Sequence, residues 1–76
     1  MPTSDAEATL TRIADAVRGE RRRQGLDQRT LALVADVGVR SVHRIENAEA
    51  TVRLDILMRV LGALGLELDV RPRGDR

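Results

Sequence analysis

Three side chains near the middle of this 76-residue chain have the chemistry and spacing to recognise an anionic or polar partner. Arg40, His43 and Arg44 recur at intervals of three and four residues, which places side chains on one face of a helix. Val42 and Ile45 fall on another face. Because a guanidinium group donates paired hydrogen bonds to phosphate oxygens or to the edge of guanine, this segment has the donors that contact with DNA requires.

Residues 25–47 are predicted to form two short helices joined by a tight turn. The first begins after Asp27, a good N-cap side chain, and places Leu31, Val34 and Ala35 on one face. Residues 36–38 interrupt the period, since Asp tolerates a left-handed backbone and Gly a non-helical one. The predicted outward side chains of the second helix are Val39, Arg40, His43 and Arg44. This arrangement is typical of a helix that enters the major groove.

Composition excludes several classes of protein. A chain this short holds one domain and buries only about 60% of its unfolded surface, so a second copy would stabilise it. Cysteine is absent, which excludes disulfides, thiolate nucleophiles and cysteine metal sites. Aromatic residues are also absent, which disfavours stacking on single-stranded nucleic acid. Without a signal peptide or a long apolar run, we expect a cytoplasmic protein of the bacterial nucleoid with no membrane contact.

The positive charge is concentrated in one part of the chain. The net charge is only +1, but residues 12–44 contain eight arginines against four acidic residues. This surplus coincides with the predicted DNA-contacting segment, as phosphate binding requires. Arginines 21–23 have a simpler alternative role as a solvated helix end, where cations stabilise the helix dipole.

Two charged residues occupy positions where apolar side chains are expected. A helix from Asp5 to Gln24, stopped by Gly25, would carry an apolar stripe that continues to Arg21. The stripe consists of Leu10, Ile13, Ala14 and Val17. Glu46 follows the inward-facing Val42 by four residues. An ion pair between Arg21 and Glu46 would resolve both anomalies, and the alternative is two independent solvated charges.

The period of the pattern changes from helix to strand near the C-terminus. After a loop at about residues 48–52, a helix that ends at Gly65 would direct one stripe to the core: Leu54, Leu57, Met58, Val60, Leu61 and Leu64. Leu66, Leu68 and Val70 then alternate with charged residues, which predicts a strand stopped by Pro72. No second strand is predicted, so we expect it to pair with the same strand of another copy; the alternative is an unpaired solvated tail.

These segments resemble the XRE family of helix-turn-helix proteins, the Cro and phage-repressor type. The family pattern GLTQ, LA, AGVS, TISRIENG is matched here by GLDQ, LA, ADVG and SVHRIENA, and LDILMRVLGALGL follows. The resemblance runs without a gap from about Ile13 to Leu66. It implies a lambda-repressor-like, mostly α bundle of about four to five helices, to which the alternating pattern adds the predicted C-terminal β-strand that pairs across a homodimer.

The resemblance also implies roles for individual residues. Gln28 would contact a phosphate or a base, Asn47 would contact the DNA backbone, and Arg21 would pair with Glu46. The expected base-reading side chains are Gln28, Val39, Arg40, His43 and Arg44. The expected phosphate contacts are Arg22, Arg23, Arg29, Ser41 and Asn47. His43 has a simpler alternative as a solvated side chain, and because it is the single histidine we assign it no metal role.

The chain departs from the family pattern at its helix caps and at its end. Asp36 replaces the glycine of the turn, and Gly38 replaces the Ser or Thr that usually caps the recognition helix. Ala48 stands where the family has the glycine after Asn47. Before the last helix, Val52 and Arg53 stand where the family has proline and serine. The loss of two preferred caps predicts modest stability. The ending ALGLELDVRPR resembles HipB-type antitoxins, which repress their own operon and bind a HipA-like kinase toxin; the alternative is a stand-alone autoregulator.

The sequence thus predicts a homodimeric repressor that binds a pseudo-palindromic operator in double-stranded DNA. Residues 1–65 would form the DNA-binding domain, residues 66–72 the dimerisation strand through Leu66, Leu68 and Val70, and residues 73–76 a disordered tail. The alternative is a protein-interaction module that covers a partner and binds DNA weakly. We expect no enzymatic activity and no cofactor, because a lone histidine without a glycine-rich phosphate loop offers little from which to build a catalytic site.

Overall fold

A computed structural model describes residues 4–72 and Gly74, and this part of the chain folds into four helices. The helices are α1 (Asp5–Arg23), α2 (Gln28–Ala35), α3 (Val39–Glu46) and α4 (Leu54–Leu64). The four-helix bundle agrees with the predicted helix-turn-helix fold. None of the helices described is long and apolar enough to cross a membrane.

Helix α1 begins and ends where its cap residues predict. Glu7 N–H donates to Ser4 Oγ at 3.0 Å while Ser4 N–H donates to the Glu7 carboxylate, so both halves of a capping box are formed. Gln24 caps the C-terminus, and Gly25 adopts a left-handed backbone with φ 71°. The predicted inward stripe is confirmed, with Val17 fully buried.

The turn between α2 and α3 sets the direction of the second of these helices. Thr30 N–H donates to Asp27 Oδ1 at 2.7 Å, which confirms the N-cap of α2. Asp36 ends α2 in the left-handed region with φ 58°, and Val37 is half-buried against the core. Gly38 caps α3 without any side-chain hydrogen bond. The turn therefore depends on a left-handed aspartate in place of a glycine, and α3 begins without a side-chain cap.

The core lies where all four helices meet, and its composition corrects part of the sequence prediction. The fully buried side chains of largest volume come from each helix: Val17, Leu31, Val42 and Val60. Val34 was predicted to face inward but is 61% exposed, because α2 turns Ala32 to the core instead. The prediction was also wrong for Leu54 and Met58, which are exposed, since the buried face of α4 follows Val60, Leu61 and Leu64.

The segment after α4 has no regular secondary structure and forms no strand within the part of the chain described. Gly65 ends α4 in the left-handed region with φ 76°, and Leu66 N–H donates a hydrogen bond to Leu61 O at 2.8 Å. Leu66 packs against the core, whereas Leu68 and Val70 are exposed. The predicted strand is not formed in the single chain, because a strand needs hydrogen-bonding partners that no other described segment supplies, and its pairing with a second copy stays a prediction. The predicted disordered tail falls largely outside the described residues.

Candidate nucleic-acid interface

The outer face of α3 carries the cationic and polar side chains predicted from the sequence. Arg40, His43 and Arg44 are exposed, while Val42 and Ile45 are buried on the opposite side. The side chains of Arg40 and Arg44 form no hydrogen bond or ion pair with any other described residue. Their guanidinium donors therefore stay available to an external acceptor, and the helix that carries them is fixed by its buried face.

The remaining predicted contact residues of this helix have different environments. Val39 was predicted to point outward, but it is half-buried and packs against the core, so little of its side chain is left for a thymine methyl group. Ser41 is half-buried at the edge of the exposed face. Asn47 caps the C-terminus of α3 and is exposed.

The ion pair predicted between Arg21 and Glu46 is confirmed and buried. Arg21 Nε donates to Glu46 Oε2 at 2.7 Å, and Arg21 Nη2 donates to Oε1 at 3.0 Å, which is a bidentate contact. The two residues are 8% and 3% exposed. Arg21 Nη1 also donates to Leu26 O at 2.9 Å. This pair joins α1 to the end of α3 and fixes the loop before α2.

Gln28 and Arg18 also converge on Glu46. Gln28 Nε2 donates to Glu46 Oε1 at 3.1 Å, so the amide expected at DNA is also part of an internal network. Arg18 Nη2 donates to the main-chain carbonyl of Glu46, and Arg18 Nε lies 3.9 Å from Glu46 Oε1. Burial raises the pKa of Glu46, but hydrogen bonds from Arg21 and Gln28 outweigh this and hold the pKa below its ordinary value. Glu46 is therefore charged and connects three helices.

The arginines predicted to contact phosphates are all exposed, but they are not equivalent. The side chain of Arg22 has no partner among the described residues. Arg29 forms no hydrogen bond or ion pair through its side chain, although its charge helps to lower the pKa of Asp27, and it lines a shallow depression beside Val39 at the start of α3. Arg23 pairs with Glu20, and hydrogen bonds from Arg23 and Gln24 lower the pKa of Glu20 to about 2. Arg23 is therefore partly neutralised, and Arg22 and Arg29 are the better candidates for phosphate contacts.

Sequence reasoning missed Arg53 and Thr51 as candidates for this surface. Both line a groove of about 150 Å³ together with Ser41 and Arg44. Arg53 is exposed and pairs with Asp55 at 2.7 Å. The signal in the sequence was weak, because Arg53 occupies a cap position where a basic residue has no preferred role.

Comparison with known proteins places the chain in a family. The helix-turn-helix family model matches residues 17–70, which include the end of α1, all of α2, α3 and α4, and the segment after them. The chain is also 36% identical over 64 residues to the uncharacterized HTH-type transcriptional regulator y4mF of Sinorhizobium fredii, and the match covers 84% of each protein. This protein therefore belongs to the helix-turn-helix family of the XRE type.

Proposed function

We propose that this protein is a sequence-specific repressor of transcription that binds double-stranded DNA as a homodimer. The proposal rests mainly on Arg40 and Arg44, two exposed arginines of α3 whose side chains have no partner within the described protein. The opposite face of α3 is buried in the core. Arg40, His43 and Arg44 would contact base edges in the major groove, and Arg22 and Arg29 would contact phosphates. Occupancy of the operator would exclude the polymerase.

The dimer would form through the segment that follows α4. Strand pairing between two copies would provide partners for its main-chain groups and place two α3 helices about 34 Å apart on successive major grooves. An apolar residue must face an apolar residue across the twofold axis, which restricts the register. Centred on Asp69, the pairing sets Glu67 opposite Arg71 and Leu68 opposite Val70, each twice. This register gives two attractive charge pairs and one repulsive pair, Asp69 with its own copy, whereas a register centred on Leu68 opposes Glu67 with Asp69 twice and has no attractive charge pair.

The test of the proposed function compares two arginines in different positions. A duplex selected by the protein from random double-stranded DNA serves as the operator, and a scrambled duplex as the control. Arg44→Ala should weaken operator binding by about 1 to 3 kcal/mol and relax selectivity at one base pair. Arg22→Ala should weaken binding to both duplexes equally. Failure of the wild-type chain to select any sequence would refute the proposal, and equal losses on both duplexes would remove Arg44 from the base-reading set.

A second candidate is an antitoxin role in which the protein also binds a toxin, such as a HipA-like kinase. The exposed apolar side chains favour it: Leu33 is 81% exposed on α2, and Val70 is 88% exposed after α4. Co-expression with a neighbouring kinase-like gene tests this role. The protein should relieve growth arrest by that gene product, and a Leu33→Asp variant, which leaves the proposed dimer segment unchanged, should relieve it less. Persistent arrest beside the wild-type chain counts against the role.

A further inference from the structure

We propose that Arg18 is a positioning residue for DNA recognition, which fixes the end of α3 without touching DNA itself. This inference rests on the proposed function, since it concerns how the recognition helix is held. Arg18 lies on α1, 28 residues before Glu46 in sequence, and was not among the predicted site residues. Its part in the structure is visible only from the contacts that it makes with the last residue of α3.

Arg18 contacts the end of α3 in a way that stabilises a helix C-terminus. Its Nη2 group donates to the carbonyl of Glu46, one of the last-turn carbonyls that receive no N–H donor from within the helix. A cation at this end also interacts favourably with the helix dipole. Helix α3 has eight residues and no side-chain hydrogen bond at its N-cap Gly38. Besides its buried face, the contacts at the opposite end therefore contribute to the orientation of α3.

The guanidinium of Arg18 is already occupied within the protein. Nη2 and Nε face Glu46, and Nη1 lies 3.5 Å from Asp15 Oδ1. The side chain of Arg18 is 34% exposed, whereas Arg22, four residues further along α1, is classed as exposed and its side chain has no partner among the described residues. Arg18 thus differs from Arg22 in whether its guanidinium group already has partners within the protein. The Arg18 side chain contacts Glu46 and Asp15, whereas the Arg22 side chain is available to bind a phosphate.

Loss of the Arg18 contact would loosen the C-terminal end of α3. A helix of eight residues is about 12 Å long, so a small tilt about its C-terminal end displaces Arg40 near its start. Recognition of a base edge requires placement within about 0.5 Å and 10 to 20°. Glu46 keeps Arg21 and Gln28 when Arg18 is removed, so the bundle should remain folded. The effect would fall on specific binding.

The salt dependence of DNA binding distinguishes positioning from phosphate contact. Arg18→Met should reduce affinity for the selected operator on the order of tenfold. It should leave binding to scrambled DNA and the slope of log K against log salt unchanged. Arg22→Ala is the matched control on the same helix, and its slope should fall by about 0.9. If Arg18→Met fails to fold, Arg18→Lys keeps the charge but loses the forked contact and gives the same comparison.

A second measurement does not depend on DNA and separates this inference from the proposed function. Amide hydrogen exchange of the free protein should accelerate in the last turn of α3 in Arg18→Met and stay unchanged there in Arg22→Ala. A reduced salt slope for Arg18→Met, or unchanged exchange in α3, overturns the inference. If the wild-type chain selects no DNA sequence while exchange accelerates as expected, the proposed function fails but the contact still positions α3.

Discussion

Removal of the Glu46 carboxylate should destabilise the protein more than any surface change. Glu46→Ala leaves the Arg21 side chain with the carbonyl of Leu26 as its remaining hydrogen-bond partner, although Arg21 is only 8% exposed. An unpaired buried charge costs about 3 to 5 kcal/mol, and the bond to Leu26 places the loss near 3. A domain of this length has a stability of roughly 4 to 11 kcal/mol. The variant should therefore lose a large part of its stability, and its Tm should fall by about 12 °C or more.

Denaturant and thermal melts of a set of variants check this reasoning. Glu49→Ala is the control, because Glu49 is an exposed acidic residue three positions away, and its change should stay within about 0.5 kcal/mol. The double variant Arg21→Met, Glu46→Leu should be close to the wild type, since it removes both charges together. Small losses in the Arg21 and Glu46 single variants that simply add would mean solvated charges and would refute the buried pair.

The same pair makes stability depend on pH in a defined direction. The pKa of Glu46 is below its ordinary value in the folded protein, despite burial, because Arg21 and Gln28 donate to it. Its stabilising contribution is therefore present above the unfolded pKa of 4.5 and is lost as the pH falls through the lower folded pKa. Glu46→Gln should show a shallower decline in stability below pH 4.5 than the wild type. Parallel curves would contradict the assignment.

Three further predictions concern the caps, the backbone and the C-terminal segment. Gly38→Ser should stabilise the protein by a few tenths of a kcal/mol in denaturant melts, because the N-cap of α3 has an extended backbone and open space around it. Ala48→Gly should raise stability by up to about 1 kcal/mol, because Ala48 has φ 57°, a left-handed backbone that glycine adopts without strain. A lower Tm would show that the greater entropy of the unfolded chain with glycine outweighs the relieved strain. Truncation after Gly65 should keep the helical circular dichroism but weaken operator binding and dimerisation, and a truncated chain that still sediments as a dimer would place the interface on the helices.

Local sequence was sufficient to predict the helices and one long-range contact. Cap residues such as Ser4 and Asp27 define helix starts through hydrogen bonds made within three residues, so no tertiary information is needed. The Arg21 to Glu46 pair was predictable because helical periodicity placed both charges on apolar stripes, where an unpaired charge is costly. The exposed face of Arg40, His43 and Arg44 followed from the same periodicity.

Tertiary structure decided which apolar residues are buried and what surrounds Glu46. Periodicity places Val34 and Ala32 on either side of Leu31, and only the positions of α3 and α4 determine that Ala32 turns inward. The approach of Gln28 and Arg18 to Glu46 depends on three helices meeting at one point, which sequence spacing does not encode. The alternating segment after Gly65 has the pattern of a strand, but pattern alone supplies no hydrogen-bonding partner, and a strand forms only where another backbone lies beside it.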